Sequence, residues 1–182
     1  GPLSDDGLVG VDEALGFLET RRGLASGLVL SGGEPLLHPG LPGLAARARA
    51  LGFAIKLDTN GSLPDRIESV GADFIALDLK TAPGRYGELW PGAPSDAARR
   101  IARSVEAVRA SGAAYEFRLT CAPGILAERD AEAIASLLRP EDEVVLQRYR
   151  PGAVLDPGWA EGVSPYEEAR LERLLDRKST RL

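Results

Sequence analysis

Phe53-Ala54-Ile55-Lys56-Leu57-Asp58-Thr59-Asn60-Gly61 alternates apolar and polar residues until it runs into a glycine. Side chains two apart share one face of a strand, so Phe53, Ile55 and Leu57 lie on one side and Lys56, Asp58 and Asn60 on the other. The same split returns downstream. In Phe74–Lys80 it sets Ile75, Leu77 and Leu79 against Asp78 and Lys80, and in Tyr115–Cys121 it sets Tyr115, Phe117, Leu119 and Cys121 against Glu116, Arg118 and Thr120. A parallel strand buried on both faces is apolar nearly throughout. Three strands here instead carry charge on one face, crowded toward their C-terminal ends. Two structures answer to that pattern: a sheet with one solvated face, or an incomplete βα barrel whose mouth holds a polar ligand, since the C-terminal rim is where βα barrels do chemistry.

Outward from these stretches, short runs rich in Val, Ile, Leu and Phe alternate with longer amphipathic ones, which is the signature of βα units. Strands are predicted to start near Leu28, Phe53, Phe74, Tyr115 and Val144, with an inserted loop around Tyr86–Ser95. Helices are predicted over Val11–Arg22, Leu41–Leu51, Leu63–Val70, Ser95–Ala110, Ala127–Leu138 and Ser164–Leu175. Glycines 23, 52, 71 and 112 follow the first four as stop signals, Ser95 is placed to cap the fourth, and Ser164-Pro165 reads as an N-cap followed by proline at the first helical position. Right-handed crossovers in series give a parallel sheet, either open and doubly wound or part of a barrel.

The 182 residues suit one domain with a real core. With 22 Lys+Arg against 27 Asp+Glu, the net charge of −5 speaks against binding nucleic acid through its phosphates. No apolar run approaches membrane-spanning length and no cleavable hydrophobic start is present, so a cytoplasmic protein is expected. A single cysteine excludes an internal disulfide framework and any structural zinc or iron–sulfur site built from this chain alone, so no metal ligands are assigned. The chain holds no methionine, and we expect it to be cut from a longer reading frame; a protease scar at Gly1-Pro2 is the alternative. Residues 1–175 are expected to form the domain and Asp176–Leu182 a non-native or disordered tail without function.

Chemistry gathers at the strand ends. In Ser31-Gly32-Gly33-Glu34-Pro35, two glycines let a ligand reach backbone amides and carbonyls, a carboxylate stands ready for an ammonium group, and proline ends the strand. Leu57-Asp58-Thr59-Asn60-Gly61, Ala76-Leu77-Asp78-Leu79-Lys80 and Leu146-Gln147-Arg148-Tyr149-Arg150-Pro151-Gly152 follow at later strand ends. Asp58 and Asp78 end neighbouring strands, where either a shared cation or a hydrogen-bond network would suit them. Cys121 falls on the apolar face and reads as inert, and His38, between Pro35 and Pro39, as structural. Tyr86, Trp90 and Trp159 read as packing residues.

These four ordered motifs, spread over Val11–Arg173, resemble the radical S-adenosylmethionine (SAM) superfamily and within it the activases of glycyl-radical enzymes, most closely those of anaerobic ribonucleoside-triphosphate reductase. The resemblance implies an α/β fold, a six-stranded partial parallel (β/α)6 barrel, with a 4Fe-4S cluster, reductive cleavage of SAM to a 5′-deoxyadenosyl radical, and abstraction of a glycine hydrogen from the partner enzyme. It implies a flavodoxin or ferredoxin as electron donor. Carried over by motif, Gly32, Gly33 and Glu34 would hold the methionyl amino group of SAM. Asp58 and Asn60 would lie beside its methionyl and ribose parts, and Asp78 and Lys80 near its carboxylate and sulfonium. Arg118 and Arg148 are further candidate contacts. The family's Cys-x3-Cys-x2-Cys cluster loop, and the strand before it, are absent from this chain and expected upstream of Gly1. A pyruvate formate-lyase-type activase, another small radical SAM enzyme such as a deazaguanine synthase, and a cluster-free βα module that binds a small ligand or a partner are the alternatives.

Overall fold

The computed structural model describes residues 9–89, 92, 94–150 and 157–167. In chain order they form α1 (Val11–Glu19), β1 (Gly27–Leu30), α2 (Leu41–Ala50), β2 (Ala54–Thr59), β3 (Phe74–Asp78), α3 (Tyr86–Leu89), α4 (Ala97–Ala110), β4 (Ala114–Cys121), α5 (Glu128–Ala135), β5 (Val144–Arg148) and α6 (Pro157–Glu161). The five strands make one parallel sheet in the order β1-β2-β3-β4-β5, an open arrangement consistent with a partial βα barrel. Among the described residues no helix is long and apolar enough to cross a membrane.

Register turns the alternation of single strands into two faces of a sheet. Leu57 pairs with Ile75, Ile75 with Tyr115, Leu77 with Phe117 and Leu119 with Leu146, so the apolar residues of neighbouring strands fall into rows. Ile55, Leu57, Ile75, Leu77 and Phe117 are buried among the inward stripes of the helices, Ala45 and Ala48 of α2 and Ile101, Val105 and Val108 of α4. The α4 residues recur at the i, i+4, i+7 spacing of a helix that buries one face. The other face of the sheet carries Lys56, Asp58, Asp78, Glu116 and Arg118.

Several predicted boundaries move, each for a local reason. The predicted helix over Leu63–Val70 is two 3-10 turns, Pro64–Arg66 and Glu68–Val70, because the chain must bury Ile67 and reverse at Gly71 within eight residues. The fourth helix starts at Ala97 after Asp96, so Ser95 does not cap it. The first ends at Glu19 and the fifth runs only over Glu128–Ala135. Residues 163–167 are not helical. Instead of opening a helix at Ser164-Pro165, this segment buries Tyr166, whose hydroxyl donates to the Leu126 carbonyl at 2.8 Å. The remainder of the predicted Ser164–Leu175 helix and Trp90 lie outside the described residues, and α6 was not foreseen.

The N-terminal end of the sheet is locked by a buried ion pair. Arg109 Nε donates to Asp142 Oδ1 at 3.2 Å and Arg109 Nη2 pairs with Oδ2. The Tyr115 hydroxyl donates to Oδ1 at 2.8 Å and the Arg139 N–H to Oδ2 at 2.7 Å. Burial pushes the Asp142 carboxyl up, but the hydrogen bonds from Arg109, Arg139 and Tyr115 outweigh it and hold it below the usual carboxylate range. A depressed native pKa means the pair stabilises the fold above the unfolded-state value, about 3.9, and that this contribution is lost as pH falls through the native one. Asp142→Asn leaves the buried Arg109 with only the exposed Glu106 carboxylate as counter-charge, and we expect it to cost about 3 kcal/mol at neutral pH. Urea denaturation at pH 7 and pH 3 checks this: the variant should show a weaker acid dependence than the wild type.

Candidate functional site

A cavity of about 670 Å³ opens at the C-terminal ends of β1 to β4. Its wall begins with Ser31, Gly32 and Gly33, and Gly32 sits at φ +122°, a backbone conformation that side chains rarely adopt. Glu34 returns the chain to an extended conformation and caps the 3-10 turn Pro35–Leu37 by accepting the Leu36 N–H at 3.1 Å. The same carboxylate accepts the Thr59 hydroxyl at 2.9 Å and the Asn60 N–H at 2.7 Å. The turn after β1 is thereby stitched to the end of β2.

The Asp58–Gly61 segment has its own constraints. Asn60 Oδ1 accepts the Ser62 N–H at 2.9 Å, an Asx-type turn, while the buried Ser104 hydroxyl of α4 donates to the Gly61 carbonyl at 2.7 Å. Gly61 lies at φ +74°, and a Cβ there would come within 2.8 Å of Leu77 Cδ1. Only glycine fits that position without displacing the core.

On the polar face three strands are joined by charge. Arg118 of β4 donates from Nε to Asp78 Oδ1 of β3 at 2.8 Å and from Nη1 to Asp58 Oδ2 of β2 at 3.2 Å. Lys80 Nζ lies 3.5 Å from Asp78 Oδ2. Lys56 Nζ lies 3.5 Å from Glu116 Oε1, 3.9 Å from Asp58 Oδ1 and 4.9 Å from the centre of the Phe74 ring. Burial works against the Arg118 charge, yet Asp78 and Asp58 outweigh it and hold its pKa above the ordinary guanidinium value. Asp58 Oδ1 is buried without a hydrogen-bond partner. It is an acceptor with spare capacity on a residue that lines the cavity. Behind the rim, Tyr86 is buried and its hydroxyl accepts the Lys80 N–H at 3.1 Å; burial pushes that phenol up to about 12.

The structure thus brings Gly32, Gly33, Asp58, Asn60, Asp78, Lys80 and Arg118 to one cavity. Glu34 stands behind the wall, its carboxylate turned to Leu36, Thr59 and Asn60. Arg148 is separated from the group, because register places it opposite Cys121 on the apolar side of the sheet, while its neighbour Gln147 pairs with Thr120 on the polar side. Of the two further candidate contacts, Arg118 lines this cavity and Arg148 is not among its lining residues. His38 keeps a local role, its Nδ1 accepting the Gly40 N–H at 3.1 Å. Thr59 is a supporting residue that sequence reading did not single out, and Tyr86, read as a packing residue, is buried and also holds the Lys80 N–H. The legible hint for Thr59 was a hydroxyl on an otherwise apolar face at the strand end.

A family model described as the radical SAM superfamily matches residues 10–137. A curated relative from Methanocaldococcus jannaschii, named as a glycyl-radical enzyme activating enzyme, is 29% identical over 139 residues, which cover 72% of this chain and 58% of the relative. A 7-carboxy-7-deazaguanine synthase from Thermococcus kodakarensis is 30% identical over 158 residues, covering 84% of this chain and 57% of the relative. The chain therefore spans less than two thirds of the length of either. Among solved structures, TYW1 with a lysine-pyruvate adduct bound superposes with a TM-score of 0.69 at 16% identity, covering 93% of this chain and 60% of that one. A radical SAM methyltransferase from Sphaerobacter thermophilus gives 0.65 at 20% identity, covering 94% and 54%. At these identities the two structures support the fold.

The stitching by Glu34 has a measurable consequence. Glu34→Ala removes the acceptor of three hydrogen bonds, and with about 1.5–3 kcal/mol typical of one bond to a charged group we expect at least that loss of stability in the absence of any ligand. Chemical denaturation of wild type and variant, both ligand-free, checks it. A ligand-only role for Glu34 predicts no change.

Proposed function

We propose, from the premise that this chain belongs to the radical SAM superfamily, that it is the SAM-binding part of an activase that installs a glycyl radical on a partner enzyme, in particular an anaerobic (class III) ribonucleoside-triphosphate reductase. The convergence of the Gly32-Gly33 loop, Asp58, Asn60, Asp78, Lys80 and Arg118 on one cavity carries the reading. SAM joins an amino-acid ammonium and carboxylate to a sulfonium and a ribose, so it needs acceptors and cations side by side. This wall offers both. Asp58 Oδ1, which accepts no hydrogen bond, fits a donor such as a ribose hydroxyl or an ammonium, Lys80 and Arg118 fit a carboxylate, and the glycine loop allows close backbone approach. When bound and reduced, SAM supplies the 5′-deoxyadenosyl radical of this superfamily.

The cluster that such chemistry requires does not fit the residues present. Cys121 is the chain's single cysteine; it is buried, and burial pushes its thiol up to about 11, far from the thiolate that ligates iron. We therefore assign the cluster's ligands to residues outside this chain. The part played by these residues is to bind and orient SAM. Arg118 holds the two carboxylates apart from one another's charge, and Tyr86 holds the Lys80 backbone at the rim.

A second reading, a radical SAM enzyme acting on a small molecule, is favoured by the longer match to the deazaguanine synthase. Both readings share the SAM site and part over the second substrate. Asp78→Ala and Lys80→Ala each remove a charged contact contributing about 1.5–3 kcal/mol, so each should weaken binding of labelled SAM roughly ten- to a hundredfold in equilibrium dialysis. Glu116→Ala, on the same face but outside the cavity wall, should lose less. Wild-type affinity in both Asp78→Ala and Lys80→Ala would sink the site assignment.

A further inference from the structure

Two rim loops flank the cavity, one after β3 carrying Lys80 and Tyr86 and one after β4 carrying Ala122 and Ile125. They belong to different βα units, and a single side chain ties them together. Arg85 Nη1 donates to Asp130 Oδ2 at 2.6 Å and to the Ile125 carbonyl at 3.3 Å, and Nη2 donates to the Gly124 carbonyl at 3.0 Å. Nε and Nη2 both reach Glu88 Oε2, at 3.0 and 2.7 Å, which fixes the plane of the guanidinium. The anchor is firm: the Asp130 side chain is 1% exposed and the same Oδ2 accepts the Ala127 N–H at 2.7 Å, at the start of α5. Next to Arg85 in sequence is Tyr86, whose hydroxyl holds the Lys80 N–H.

We propose that Arg85 is a positioning residue for the ligand cavity, a strap that fixes the Ile125 wall on one side and, through Tyr86, the Lys80 backbone on the other. Arg85 does not line the cavity among the described residues; it acts through residues that do. A guanidinium suits this task because its planar fork can grip a carboxylate and two carbonyls at once, where an ammonium offers a point charge. The proposal rests on the reading of the cavity as the SAM site, and its test has one arm that does not.

The first arm is hydrogen exchange on the ligand-free full chain. The Lys80 amide reports the Tyr86 clamp, and the Phe117 amide, which donates to the Glu143 carbonyl at 2.9 Å in the sheet, reports overall stability. In Arg85→Met we expect Lys80 protection to fall at least tenfold relative to Phe117. Arg85→Lys, which keeps the pairing with Asp130 and loses the fork, should give a smaller drop and serves alone if Arg85→Met does not fold. The second arm is dialysis with labelled SAM, where Arg85→Met should bind roughly tenfold more weakly and Arg99→Met, at an exposed surface pair on α4, should match wild type. If Lys80 and Phe117 lose protection together and SAM affinity does not change, Arg85 is merely structural and the proposal fails. Selective loss at Lys80 in a protein whose wild type binds no SAM upholds the strap and overturns the ligand reading instead.

Discussion

Asp58 and Asp78 end neighbouring strands on the same face of the sheet, and two carboxylates sharing a partly buried wall repel one another unless a cation lies between them. Arg118 is that cation, reaching both from a third strand. The exposed ion pairs elsewhere on the chain contribute little individually. This one differs, because the Arg118, Asp58 and Asp78 side chains are only 14%, 18% and 24% exposed, so their charges interact where water is scarce. The bridge thus sets the relative positions of β2, β3 and β4 at the rim, and everything that lines the cavity follows from it. Lys56 and Glu116 extend the alternation of sign deeper into the same face.

Fold and site are held by the same bonds at this end of the molecule. The Glu34 carboxylate terminates one loop and orients the next, the Ser104 hydroxyl ties a helix to the Gly61 carbonyl, and Tyr86 spends its hydroxyl on the backbone beside a cavity lysine. In a rim built this way the Asn60 and Lys80 N–H groups are already committed to Glu34 and Tyr86. What it leaves open is small and specific. Asp58 Oδ1 accepts no hydrogen bond, and Gly32 and Gly33 bring backbone without side chains to the cavity wall.

The legibility of this arrangement in the sequence followed the range of the forces behind it. Alternation in Phe53–Asn60, Phe74–Lys80 and Tyr115–Cys121 is a local property, and it placed three of the strands and their apolar rows, with Asp58, Asn60, Asp78, Lys80 and Arg118 on the opposite side. Glu34 was harder, because its partner Thr59 is 25 residues away and becomes a neighbour only once β1 and β2 pair in register. The face of Arg148 was illegible for the same reason: it depends on which residue of β4 it meets, and that is Cys121. Ser164-Pro165 carried a valid local capping signal that lost to burial of Tyr166 against Leu126, a tertiary contact no local pattern encodes. Leu63–Val70 had helical spacing, but the chain there runs as two 3-10 turns that bury Ile67 before reversing at Gly71.

The two ends of the sheet have divided the work of charge. At the N-terminal end, Asp142 is wholly enclosed and its oxygens accept from Arg109, Arg139 and Tyr115, so that carboxylate has no capacity left and serves stability. At the C-terminal end, Asp58 has one oxygen satisfied by Arg118 and the other buried without a hydrogen bond. With Lys56 Nζ 3.9 Å away and no hydrogen bond accepted, that oxygen keeps a capacity that Asp142 has used up. The βα architecture delivers polar side chains from several strands to that rim, while the carboxylate at the opposite end is fully committed to holding the fold.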